Sequence, residues 1–251
     1  MVKNAGHRAE ARCHKETQDT GQKPGATECV VQKLDHFING QFVPPTGGAG
    51  WYLENIEPAT GRAYSLVADG DARDIDAAVD AAKQAFPAWA GLSAVARSAY
   101  LLRLADVIDA NTGELAEAEA RDTGKPLSAA RSIDVPRSAS NFRFFATAIL
   151  HGSGEVHDFD GEGTPGGVRA LNYTLRSPRG VAGCISPWNL PLYLLTWKIA
   201  PALATGNTVV AKPSEVTPMT AWMLGRLANE AGLPKGVLNI VQGRGTTAGA
   251  A

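Results

Sequence analysis

Three short segments carry side chains suited to chemistry. Ser186-Pro187-Trp188-Asn189 puts a carboxamide between Pro187 and Pro191. A side-chain amide can donate to a developing oxyanion, and flanking prolines limit the backbone freedom of such a donor. By itself the segment reads equally as a tight turn with its tryptophan on the core, because Pro and Asn are common turn formers. Lys212-Pro213-Ser214-Glu215 sets an ammonium and a carboxylate three positions apart, a pair suited to ribose hydroxyls. Alone it is also an ordinary solvated loop, with Ser214 or Thr217 capping the next helix. Gly243-x-Gly245-x-x-x-Gly249 would let the backbone approach a pyrophosphate at a helix N-terminus. Its spacing is one residue longer than the G-x-G-x-x-G fingerprint, and glycines after a strand also simply permit a sharp turn.

The elements that must position these segments alternate. Strands are expected at Val181 to Ile185, Thr208 to Ala211 and Val237 to Val241, with helices at Leu192 to about Ala204 and Thr217 to Ala231. This rhythm is the signature of a parallel sheet with crossover helices. Each candidate segment then follows the carboxyl end of a strand, where open α/β sheets bind ligands. The coincidence argues for a nucleotide site more strongly than any one motif. Upstream, HFINGQFV reads as a hairpin on an Asn-Gly turn, and NIEPATGRAYSLVADG as a second extended pair. Asp71 or Asp74 caps a helix with an apolar face of Ile75, Val79, Ala82 and Phe86. Leu101, Leu104, Ala105 and Ile108 mark a second helix, and Leu115 to Arg121 a third that Gly124 stops. Pro136 opens another, running to about Leu150. The glycine-rich stretch from Gly152 to Gly167 is a surface loop or the tip of an arm, and LNYTLRSPRGVAGCISPW reads as strand, turn, strand.

The 251 residues carry 24 basic and 25 acidic side chains, so no strong field attracts nucleic acid or an acidic membrane. No apolar run reaches the roughly 20 residues of a membrane span. Cys13, Cys29 and Cys184 fit neither a disulfide framework nor a zinc site, and no metal is expected. A reducing, cytoplasmic setting is the expectation. Residues 1–33 are polar and lack an apolar period, and read as a disordered extension.

ISPWNLPLYLLTWKIAPALATGNTVVAKPSEVTPMTAW and GLPKGVLNIVQGRGTTAGAA resemble the NAD(P)-dependent aldehyde dehydrogenase superfamily. Within it, IDVPRSASNFRFFA and SPWNLPLYLLTWKIAPALA resemble dehydrogenases of 2-aminomuconic and 2-hydroxymuconic semialdehydes. The resemblance implies an α/β fold: a Rossmann-type parallel sheet with flanking helices and part of a β oligomerisation arm. It divides the chain into the amino-terminal part of a cofactor domain (34–151), an arm (152–179) and a βαβαβ cofactor-binding core (180–251). It implies an aldehyde substrate, NAD as cofactor and a homo-oligomer. Asn189 matches the family's oxyanion donor, and Ile185, Ser186, Pro187 and Trp188 match positions along the cofactor path. Lys212 and Glu215 match the residues that bond the adenosine ribose; a glutamate there favours NAD, because a 2′-phosphate would face a carboxylate. Gly245 and Gly249 match the turn and helix beside the pyrophosphate. Arg137 and Asn141 lie on a helix that borders the family's substrate tunnel. Arginine can grip a carboxylate in a bidentate way, although a surface arginine at a helix start needs no such partner.

The family's cysteine nucleophile and glutamate base would lie beyond the glycine turn. None of the three cysteines matches, and Cys184, inside an apolar strand, reads as a small buried hydrophobe. The expectation is a chain that ends before the catalytic domain and is inactive alone. A non-catalytic NAD-binding or subunit-pairing protein is the alternative.

Overall fold

The structure, a computed structural model, describes residues 32–48, 50–163 and 165–251. The extension expected over residues 1–33 lies outside the described residues as far as position 31, with Cys13 and Cys29. Its end is corrected, because Gln32 and Lys33 already belong to a strand.

The first strands are β1 (Gln32–Leu34), β2 (His36–Ile38) and β3 (Gln41–Val43). β2 and β3 form the expected hairpin, with His36 opposite Val43. Asn39 and Gly40 turn it at φ of 52° and 76°, the left-handed pair that a type I′ turn requires. β4 (Tyr52–Glu57) and β5 (Arg62–Ala68) form the second antiparallel pair, which β1 joins in parallel to β5.

Three helices follow: α1 (Ala72–Ala90), α2 (Ala94–Ala110) and α3 (Thr112–Thr123). Asp71 caps α1, and the Asp74 carboxylate accepts from the Asp71 N–H at 3.0 Å, so both candidates serve one capping box. α2 fully buries Leu101, Leu104, Ala105 and Ile108, as their spacing predicts. Gly124 ends α3 with φ 73°. The next helix starts before Pro136: α4 (Leu127–Ala129) passes through a π turn (Ala130–Asp134) into α5 (Val135–Ala148). Proline has no N–H to give and its ring crowds the preceding turn, which the wider π geometry relieves.

β6 (Val156–Phe159) and β7 (Ala170–Tyr173) make an exposed antiparallel arm. The alternating part then runs β8 (Val181–Ile185), α6 (Pro191–Ala204), β9 (Thr208–Lys212), α7 (Met219–Glu230) and β10 (Leu238–Ile240). β8, β9 and β10 are parallel, with Val181 opposite Thr208 and Leu238 opposite Val209. The hairpin extends this sheet antiparallel to β10, giving the order β3-β2-β10-β9-β8.

β9 is buried along its whole length because both sheet faces are covered. Val209 and Ala211 enter the main core with α2, α6 and α7, while Val210 joins Ala78 and Ala82 of α1 on the other face. The buried stripe of α1 is therefore Asp74, Ala78, Ala82 and Trp89; of the expected face only Ala82 is fully covered. Ile75, Val79 and Phe86 are half-buried at the flank. Small alanines let α1 approach the sheet closely enough for the Thr208 hydroxyl to donate to the Ala82 carbonyl at 3.0 Å. Trp89 Nε1 donates to the Leu203 carbonyl at 3.1 Å and Arg97 Nε to that of Ala204 at 3.0 Å, tying α1 and α2 to the end of α6.

Candidate cofactor and oxyanion site

The three segments converge at adjacent strand ends. Ile185 stands opposite Lys212 in the ladder, and the Ser186 N–H donates to the Lys212 carbonyl at 3.2 Å. Lys212 is 5% exposed, a depth at which an ammonium needs a partner. It has one: Nζ lies 2.9 Å from Glu215 Oε2. The other oxygen, Oε1, accepts from the Gly245 N–H at 3.3 Å. One carboxylate thus joins the strand-end lysine to the glycine turn. Burial works to raise the Glu215 pKa, but backbone N–H donors and Lys212 together hold it below the usual carboxylate range.

Residues 245–250 fold as successive turns, so among the described residues no helix starts there. The Gly249 N–H bonds the Arg244 carbonyl at 3.1 Å, and a Cβ on Gly249 would sit 2.6 Å from the Gly245 carbonyl oxygen. Gly249 is needed for this packing. Gly245 faces open space, and Gly243 holds φ 141° against Gly70 and Ala248.

Trp188 is 62% exposed, which rules out the reading of a tryptophan packed on the core. Ile185 and Pro187 are also exposed, while Ser186 is buried with a hydroxyl that has no hydrogen-bond partner among the described residues. Asn189 is exposed, and its side-chain amide makes no hydrogen bond among the described residues. Its backbone carbonyl lies 3.5 Å from Lys125 Nζ. Pro191 then opens α6.

Arg137 is exposed on α5 and donates to the Tyr193 hydroxyl at 3.0 Å, with its guanidinium 5.3 Å from that ring. Asn141 is placed differently. It is 3% exposed, and its amide nitrogen donates to the Tyr193 carbonyl and to Thr196 Oγ1, both at 3.0 Å. Its donors are engaged in the α5–α6 contact beneath Tyr193. Arg143 pairs with Asp106 and Asp109 of α2. Cys184 is buried, and burial pushes its thiol pKa up despite Lys198. No group of three or more His, Cys, Asp or Glu side chains arranged for a metal occurs among the described residues.

Sequence reasoning missed a buried polar cluster behind the Asn189 turn. Glu119 accepts from Thr220 Oγ1 at 2.8 Å, Asp122 from the Met219 N–H at 2.8 Å, and Lys125 bonds Asp134. Burial lifts Glu119 to about 7 and Asp122 above its usual range. The only signal in the sequence was a Thr-Gly-Lys-Pro stop after α3.

A doubly covered parallel sheet with a Lys–Glu pair and a glycine turn at its carboxyl edge defines a dinucleotide-binding type of protein. The aldehyde dehydrogenase family matches residues 45–251, and the chain belongs to that family. It is 53% identical over 216 residues to 2-aminomuconic semialdehyde dehydrogenase of Danio rerio, covering 86% of this chain and 42% of that protein. It is 46% identical over 216 residues to 2-hydroxymuconic semialdehyde dehydrogenase of Pseudomonas sp. (strain CF600), covering 86% and 43%. Among solved structures, PnpE from Pseudomonas sp. WBC-3 in complex with nicotinamide adenine dinucleotide shares 43% identity. It superposes with a TM-score of 0.79, over 86% of this chain and 42% of that one. The chain thus spans less than half the length of the relatives it matches. Among the described residues no helix is long and apolar enough to cross a membrane.

Proposed function

We propose that this chain supplies the cofactor half and the oxyanion donor of an NAD-dependent aldehyde dehydrogenase that oxidises a muconic-type semialdehyde to a carboxylate. The observation that carries the reading is the Lys212–Glu215–Gly245 link, because it gathers a cation, an anion and a glycine backbone at one sheet edge. The residues fit a nucleotide. An ammonium has three donors and Lys212 uses one on Glu215; a carboxylate has about four acceptor positions, and Glu215 keeps capacity beyond Lys212 and the backbone N–H donors. Spare donors and acceptors side by side are what a ribose diol needs. Glu215 is an anion there, so a 2′-phosphate would be repelled. Bound NAD would supply the hydride acceptor.

Asn189 is proposed to donate its amide to the oxygen on which charge develops. Its free, exposed carboxamide beside a proline-bounded turn supports this role. Arg137, backed by Tyr193, is proposed to receive the carboxylate of the semialdehyde, with Asn141 holding Tyr193 in place. Ile185, Pro187 and Trp188 would border the cofactor. Cys184 is not proposed as nucleophile, since a thiolate is disfavoured at its buried position. The arm favours pairing with a second subunit: both its strands are exposed, with Leu171 and Tyr173 each more than 60% accessible. Sparse cysteines support a cytoplasmic setting.

The test uses the protein at its full encoded length with 2-aminomuconic and 2-hydroxymuconic semialdehydes, following reduced cofactor by absorbance. Asn189→Ala is expected to lower kcat about 100- to 1000-fold, the range for losing one oxyanion donor, with NAD affinity intact. Unchanged kcat in that variant refutes the oxyanion role.

A further inference from the structure

We infer that Lys125, locked by Asp134, is a positioning residue that holds the Asn189 turn from behind. The inference rests on the oxyanion role proposed for Asn189. A preorganised donor must be rigid before the reaction begins, since reorganising it would return most of its benefit. The exposed Asn189 carboxamide makes no hydrogen bond of its own among the described residues, so its rigidity has to come from the backbone.

Lys125 reaches that backbone. It follows the left-handed Gly124 that stops α3, and its ammonium bonds the Asp134 carboxylate in the π turn. The same nitrogen lies 3.5 Å from the Asn189 carbonyl oxygen, a long charge–dipole contact. Asp134 is 3% exposed and the Lys125 side chain 17%, so water screens this cluster weakly. The chain then turns through Leu190 and Pro191 into α6. There the fully buried Glu119 carboxyl faces the Leu192 N–H, with its Oε1 lacking a hydrogen-bond partner among the described residues. Glu119 is faced by Lys125 and Asp134 from one side and by Thr220 of α7 from another. Lys125 behind Asn189 and Glu119 at the start of α6 thus bracket a four-residue segment whose only outward polar side chain is the Asn189 amide. The placement of Asp134 also gives the π turn a role, because it aims that carboxylate at Lys125.

The experiment is a double-mutant cycle in the protein at its full encoded length. Lys125→Met is expected to lower kcat about 10- to 100-fold, the cost of misplacing a catalytic group by about an ångström. KM for the semialdehyde and Kd for NAD should stay within about twofold, since neither contact is removed. In an Asn189→Ala background the same substitution should cost almost nothing more, because the group it positions is gone. Asp134→Asn, nearly isosteric, should follow the same pattern more weakly and replaces Lys125→Met if that variant does not fold. An equal loss in both backgrounds, or unchanged kcat, overturns the inference. If Asn189→Ala lowers kcat and Lys125→Met does not, positioning alone fails. If Asn189→Ala leaves kcat unchanged, the oxyanion reading fails and takes the inference with it.

Discussion

Glu215 uses both carboxylate oxygens, one on Lys212 and one on the Gly245 N–H. It joins the end of β9 to the glycine turn. Hydrogen bonds to charged groups contribute roughly 1.5–3 kcal/mol, so Glu215→Ala should weaken NAD binding about 10- to 100-fold by calorimetry. The 2′-phosphorylated cofactor should lose less, because a repelling anion disappears with the acceptor. Equal weakening for both cofactors would count against the discriminating role. Arg137 offers a separate test. Arg137→Lys keeps the charge and loses the planar fork, so KM for an acidic semialdehyde should rise about tenfold while a neutral aldehyde is unaffected. Matching changes for both would place Arg137 outside the substrate contact. The strand-end positions of Asn189, Lys212 and Glu215 were legible from the strand-helix alternation. The partners of Asn141 were not, because the α5 pattern cannot tell whether an asparagine faces a tunnel or the neighbouring helix; in the structure its amide bonds Tyr193 and Thr196.

The start of α1 shows how an element is fixed by residues outside it. Asp71 and Asp74 close a capping box, and Asp74 also takes the Thr46 N–H at 2.9 Å and sits 3.6 Å from His36 Nε2. Burial opposes the Asp74 charge, but these donors hold its pKa well below the carboxylate range. Its folded pKa is depressed, so its contribution is present above the unfolded pKa and is lost as pH falls. Asp71→Ala should cost about 1 kcal/mol in urea unfolding, as for a typical cap. Asp74→Ala should cost roughly twice that or more, since it also leaves Thr46 without its acceptor. Equal costs would show that Asp74 acts only as a cap. The hairpin, the cap of α1, the end of α3 and the β8-β9-β10 alternation were legible because turn chemistry and periodicity are local. The hairpin's addition to β10 was not, since Phe37 pairs with Ile240 from the far end of the chain, and the π turn before Pro136 was not, since a proline signals a helix start as readily as a distorted turn inside one.

Across the whole molecule, α3 joins the cofactor sheet's helices through buried acids. Asp122 bonds the first N–H of α7, and Glu119 bonds Thr220 while facing the start of α6. Burial lifts Glu119 from 4.5 to about 7. Between those values the folded chain keeps a proton that the unfolded chain has released, so stability falls as pH rises through the window. The raised pKa corresponds to roughly 3 kcal/mol across it. Glu119→Gln should flatten the wild-type decline between about pH 4.5 and 7 in denaturant titrations, and an identical slope in both proteins would refute the assignment.

The sequence by itself determined the strand-end motifs, the alternation that makes a parallel sheet and the family resemblance, because these depend on neighbours in the chain. Only the tertiary structure decided which buried face α1 uses, which polar groups lie behind the Asn189 turn, and that one carboxylate joins Lys212 to Gly245. Those are distances between residues far apart in sequence, set by which helix closes over which strand, and no local pattern encodes them.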